Sequence, residues 1–146
     1  MKKINNRLTE KDINNILKLL KTHNKLMTEH ELAYMCSGKN PDESMTLIYG
    51  IYEGEELVSV MVASYFIVSP HPDNPRGRIV HWSGAYTRED KRRKGYSAQL
   101  LASIEEDAKT YFNADYLCGD CVEVGKNLAL SQGFKMSDEY RVWKPL

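Results

Sequence analysis

The sequence has no surplus of charge, few cysteines and no long apolar run, and each absence closes a class of function. Lys plus Arg and Asp plus Glu each number 20 among 146 residues, so the formal net charge is zero. A chain without a positive field holds DNA phosphates or an anionic lipid surface poorly, so neither a nucleic acid nor a membrane is an expected partner. Nowhere do about 18 apolar residues stand together, as a spanning helix would need. The opening MKKINNRLTEKD carries lysines with no apolar stretch behind them and is not read as a signal peptide, so a cytoplasmic protein is expected. Cys36, Cys118 and Cys121 make an odd number without a secretion signal, which suits reduced thiols.

What is present is one ordinary domain over residues 1–146, with 42% hydrophobic and 10% aromatic content. Thr9 followed by Asp12, then Ile13, Ile16, Leu17 and Leu20 at helical spacing, predicts a first helix over roughly residues 10 to 23. TEHELAYMCSG predicts a second, started by Thr28 and stopped by Gly38. A hairpin follows, turning at Glu53 to Glu56 around Gly54, and its nearly all-apolar second strand, Leu57 to Val68, implies burial on both faces. RIVHWSGAYT reads as a strand, SAQLLASIEEDAKTYF as a helix with Leu101, Ile104, Ala108 and Tyr111 on one stripe, ADYLCGD as a strand and VEVGKNLALSQ as a helix. GFKMSDEYRVWKPL closes as a strand. The class is α/β (α+β), in the order βααβββαβαβ.

Between the RIVHWSGAYT strand and its helix stands KRRKGYSAQLL, Lys91 to Leu101, where four cations run into a glycine. At a helix start the first N–H groups lack acceptors, and with the helix dipole they bind an anion. Gly95 and Ser97 keep that backbone accessible, while Arg92, Arg93 and Lys94 add charge. The stretch is neither of the common nucleotide loops, although the mechanism is shared. A nucleotide or sugar-phosphate binder is therefore a weaker alternative.

Arg92, Gly95 and Ser97, with the strand before them, the long helix after them and the later pair Gly133 and Phe134, resemble the signature of the GNAT superfamily of N-acetyltransferases. Ser97 is an imperfect occupant of the last slot, which is Gly or Ala in the family. The resemblance is strongest over residues 78–134. It implies a mixed, mostly antiparallel central sheet of about six strands with helices on both faces, and acetyl-CoA as cosubstrate. It further implies that Ala85, Tyr86 and Thr87 hold the pantetheine arm and that Arg92, Arg93, Lys94, Gly95, Tyr96, Ser97 and Ala98 hold the pyrophosphate. The acceptor would be a small-molecule amine or a peptide amine, and a homodimer stays open.

An alkyl amine of pKa about 10.4 must lose a proton before it attacks a thioester. The family glutamate that does this in some members falls here on His81, and histidine, as the side chain that ordinarily changes charge near physiological pH, is a reasonable base. Strand alternation would put His81 on one face with Ser83, Ala85 and Thr87. A structural histidine beside Trp82 is the competing reading. Glu29, His30 and Glu31 in the second helix are alternatives, of which Glu29 and Glu31 face different ways. The family tyrosine that protonates the departing thiolate is replaced by Ala129, with only Ser131 nearby. Tyr140 or Tyr96 would have to substitute, or a CoA thiol of ordinary acidity leaves without that help. Ala129 also makes a CoA-ester-binding sensor without turnover a second reading. The CGDC pair, Cys118 and Cys121, reads as core thiols at a strand end, because no further ligands stand at zinc spacing.

Overall fold

The computed structural model describes residues 6–22, 28–36, 44–121, 123–138, 142 and 144–145. Its order is α1 (Ile13–Lys21), α2 (Glu29–Cys36), β1 (Ser44–Glu53), β2 (Glu56–Ile67), β3 (Arg78–Thr87), α3 (Tyr96–Thr110), β4 (Tyr116–Gly119) and α4 (Glu123–Ser131). The strands form one sheet in the order β1-β2-β3-β4; the first three are antiparallel and β4 runs parallel to β3.

Local chemistry sets the helix starts. The Thr9 N–H donates to Asp12 Oδ2 at 2.7 Å, opening a 3-10 turn that leads into α1. At α2 the Thr28 N–H donates to Glu31 Oε2 at 2.8 Å and the Glu31 N–H returns a bond to Thr28 Oγ1 at 3.2 Å, a reciprocal capping box. Between β1 and β2 the turn needs only Gly54 and Glu55, and Gly54 takes φ +60°.

The sheet is covered on both faces. Against one face α1 and α2 bury Ile16, Leu19, Leu20 and Leu32 over Ile48, Val60 and Tyr86. On the other, α3 lays Leu100, Leu101, Ile104 and Ala108 over Leu47, Tyr49, Met61, Val80 and Trp82. Full burial of a side chain such as Leu101 or Ile104 stabilises by about 2 kcal/mol. Consecutive residues 57–61 of β2 are all buried, as the apolar run implied, because each face has its own helical layer.

Among the described residues three expectations are revised, two at the ends of the sheet and one within β3. The described residues hold four strands, not six. At the front, where residues 1–5 lie outside the described residues, a bridge joins Arg7 to Tyr49, with Leu8 N–H on the Ile48 carbonyl and Gly50 N–H on the Asn6 carbonyl, both at 2.9 Å. At the end, residues 134–138 run on from α4 without strand pairing, and Tyr140 lies outside the described residues.

The third revision concerns side-chain direction in β3. Val62 pairs with Ser83 but Val60 pairs with Tyr86, so Met61 stands opposite both Gly84 and Ala85. This is a β-bulge, and Gly84 supplies its left-handed residue at φ +57°. Val80 and Trp82 belong to the α3 core, whereas Tyr86, also even-numbered, belongs to the α1–α2 core. The bulge has reversed the alternation. His81 therefore does not share a face with Thr87, contrary to the regular-strand expectation.

Candidate functional site

The strand that leads to the basic loop loses its neighbour partway along. β3 and β4 pair only from Ile79 with Tyr116 to Trp82 with Gly119, while β3 continues to Thr87. Along residues 83–87 β3 is bonded to β2 on one edge, and no described strand occupies the other. This open edge ends beside the start of α3. Thr87 Oγ1 lies 3.3 Å from Ser97 Oγ, and is itself held by the fully buried Ser59 hydroxyl at 2.7 Å.

The start of α3 is shaped by two backbone turns. Arg93 has φ +64° and Gly95, the N-cap, φ +80°. The first bond into the helix runs from the Gln99 N–H to the Gly95 carbonyl at 3.0 Å, so the amides of Tyr96, Ser97 and Ala98 precede it at the open end. A Cβ on Gly95 would meet nothing within 4 Å. The space beside Gly95 is clear of protein, as an anion approaching the helix start requires.

The expected cofactor contacts do not all point the same way. Ala85 is exposed on the bulge. The Tyr86 ring is buried among α1 residues with its hydroxyl 2.9 Å from Thr22 Oγ1, so this residue offers a ligand only its main chain. Of the cations, Lys91 and Lys94 reach Glu53, at 2.5 and 3.1 Å, and the Arg92 Nε donates to the Thr87 carbonyl at 3.2 Å. Arg93 is exposed, with no carboxylate partner among the described residues.

His81 is half-buried in the row where β3 and β4 still pair, with Nε2 3.6 Å from Asp120 Oδ2. That is an ion-pair distance rather than a hydrogen bond. Asp120 follows β4 directly and would stabilise a protonated imidazole. Glu29 and His30 are exposed at the start of α2, and the Glu31 carboxylate is occupied with the Thr28 amide. Because α2 packs on β1 and α1, with β2 between β1 and β3, no described contact joins Glu29 to His81.

The family tyrosine slot, Ala129, is 5% exposed and packed into the α3 core, and the Ser131 hydroxyl donates to the Leu128 carbonyl of its own helix. The Tyr96 hydroxyl donates to Glu53, and that bond pushes its pKa up. Cys118 is half-buried, with its thiol directed at the Val80 carbonyl at 3.6 Å and its pKa raised first by burial and then by Asp120. Cys121 packs at the edge of the α3 core. A cleft of about 680 Å³ lies between β4, the end of α3, α4 and residues 132–137, but none of residues 83–98 lines it.

Sequence reasoning missed Glu53, Asp120 and the bulge. The bulge had a signal, since an isolated glycine inside a strand marks one. Asp120 was visible only as the middle of CGDC. Glu53 had no local signal, standing 41 residues from Lys94.

No protein-family model matches the sequence, and no curated protein matches it. Solved structures do. A predicted acetyltransferase of Clostridium acetobutylicum with acetyl-CoA superposes with a TM-score of 0.72 at 17% identity, covering 94% of this chain and 93% of its own. The ribosomal-protein-alanine N-acetyltransferase of Brucella melitensis biovar Abortus 2308 gives 0.70 at 15% identity, over 96% and 97%. An aminoglycoside antibiotic 6'-N-acetyltransferase of Acinetobacter haemolyticus gives 0.72 at 16% identity, over 96% of both chains. At these identities the likeness is one of fold. The chain has the acetyltransferase fold that the resemblance of its basic loop implied.

Proposed function

We propose that this protein is an acetyl-CoA-dependent N-acetyltransferase acting on a primary amine of a small molecule or a peptide. The observation that carries the reading is the parting of β3 from β4 after Trp82 and Gly119, which leaves an open strand edge running into the unbonded amides of α3. An extended amide-bearing arm fits the edge and a pyrophosphate fits the amides. The Clostridium protein of the same fold is described with acetyl-CoA, which supports that choice of ligand.

In this reading the amides of residues 95–98 hold the pyrophosphate, with Arg93 adding charge, and the main chain of residues 85–87 orients the arm. Acetyl-CoA supplies an acyl group on a thiol leaving group. His81 accepts the proton of the incoming ammonium, and Asp120 favours the imidazolium so formed. The leaving thiolate, with an ordinary pKa of about 8.5, departs without a tyrosine from α4.

A second reading has one observation in its favour. Ala129 and Ser131 leave the family tyrosine slot without a free proton donor, which suits a CoA-ester-binding module that does not turn over. Calorimetric titration with acetyl-CoA followed by CoA release over a panel of amines separates the two. Binding with release on some amine supports the enzyme, binding without release on any supports the module, and no binding overturns both.

A further inference from the structure

Two of the three carboxylates at the tip of the β1–β2 hairpin stand opposite each other and take no part in the chemistry above. Glu53 ends β1 and Glu56 begins β2, and the two are register partners across the turn. Like charges directly opposite in a ladder destabilise it. Here each carboxylate is drawn off to a different part of residues 88–96. Arg88 Nη1 donates to Glu56 Oε2 at 2.9 Å, while Glu53 gathers Lys91 Nζ at 2.5 Å, Lys94 Nζ at 3.1 Å and the Tyr96 hydroxyl. The Glu53 partners lie before and after Arg93 and also flank Gly95, the two residues whose positive φ turns the loop. A side chain other than glycine is disfavoured in that region, so the Arg93 conformation needs restraint from outside the loop.

We propose that Glu53 is a positioning residue of the anion loop: by holding Lys91, Lys94 and Tyr96 at one carboxylate, it fixes the turn that presents the α3 amides to a pyrophosphate. The inference rests on the CoA-binding reading. It reverses the first expectation for the basic run, since two of its four cations serve the loop's shape rather than the ligand. The lowered pKa of Glu53, to about 2, due first to Lys91, then Tyr96 and Lys94, keeps the carboxylate charged throughout any working pH.

Two effects of opposite sign make the inference testable. If Glu53 is only a surface charge, its removal deletes a repulsion toward a polyanion and binding tightens. If it positions the loop, binding weakens, because an unrestrained loop must be ordered when the ligand arrives. The experiment is calorimetric titration of wild type, E53A and E53Q with CoA at low and high salt, with thermal melts of each. E53A should raise Kd about fivefold or more at high salt, through lost preorganisation. The ratio of mutant to wild-type Kd should grow from low salt to high, because the freed lysines help only where charge is unscreened. That growth is a readout that a general loss of stability would not produce.

E53Q keeps the shape and the Tyr96 acceptor but not the charge, and should show a smaller weakening in the same direction with an unchanged melt, so folding defects in E53A do not decide the matter. If wild type binds CoA and both variants bind as tightly or more tightly at high salt, the inference falls while the CoA reading stands. If wild type fails to bind, the reading falls and takes the inference with it.

Discussion

Gly119 lies against the Trp82 indole so closely that a Cβ there would stand 2.3 Å from Cε2 and 2.5 Å from Nε1. These two residues are also the last pair of the β3–β4 ladder, so the point at which the strands part is built on a glycine. Trp82 is 6% exposed and packs edge-on against Phe134, with centroids 6.2 Å apart, so the indole has little room to retreat.

Gly119→Ala should therefore destabilise the protein by about 2 kcal/mol, the usual cost of overpacking. Chemical denaturation measures it. CoA binding should weaken as well, since the displaced Trp82 disturbs the edge from which Ser83 starts. Wild-type stability in the variant would show that the contact has slack.

Arg92 and Arg93 should differ in their effect on the ligand. Arg93→Ala, which removes an exposed cation with no carboxylate partner among the described residues, should raise Kd for CoA about threefold at low salt and much less at high salt, as expected for a screened charge. Arg92→Ala removes a guanidinium that reaches the Thr87 carbonyl, and its effect should depend less on salt. Calorimetry at two ionic strengths checks both. Equal salt dependence for the two variants would contradict the placement.

His81→Ala should lower turnover by about 100-fold or more, a typical contribution of a general base, while Kd for acetyl-CoA stays within a factor of about two. Glu29→Ala, at the exposed start of α2, should leave turnover close to wild type. Steady-state rates on the best amine, paired with calorimetry, make the comparison. Full activity in the His81 variant would assign the proton to another group.

Stability should fall in alkali. Burial pushes the Cys36 thiol up from 9.0 to about 11 and pushes Tyr49 and Tyr65 above the ordinary 10.0 of a phenol. The unfolded chain releases these protons at ordinary pH values and the folded chain keeps them, so unfolding releases protons and rising pH favours it. The contribution is complete below about pH 9 and declines as pH rises toward 11 and beyond. Urea unfolding at a series of pH values should show this decline, with Tyr49→Phe softening its upper part. At neutral pH the same variant should lose about 2 kcal/mol, because the Tyr49 hydroxyl donates to buried Asp107 at 2.9 Å and also meets Tyr65.

The parts of this molecule that were legible in the sequence are those with local causes. Thr9 with Asp12, the capped α2, the hairpin around Gly54 and the α3 stripe of Leu101, Ile104 and Ala108 each follow from residues a few positions apart. The helix start at Gly95 was readable for the same reason. Long-range partners were not. That Lys91 and Lys94 meet Glu53, that Asp107 sits under Tyr49, and that His81 faces Asp120 all depend on which strands become neighbours. The direction of the residues after Gly84 was misread because an alternating pattern conceals one extra residue. Glu31, offered as a base, proved to be part of a cap, a role its spacing from Thr28 already allowed.

The bulge at Gly84 makes β3 two strands of opposite sidedness joined end to end. Deleting Gly84 or Ala85 would restore unbroken alternation without turning either half over, because Tyr86 would still oppose Val60 and Thr87 would still oppose Ser59, leaving the ring at Thr22 and the hydroxyl at Ser59 and Ser97. What the extra residue sets is therefore the bend and twist of the strand where its edge opens, and not the face to which Tyr86 and Thr87 turn.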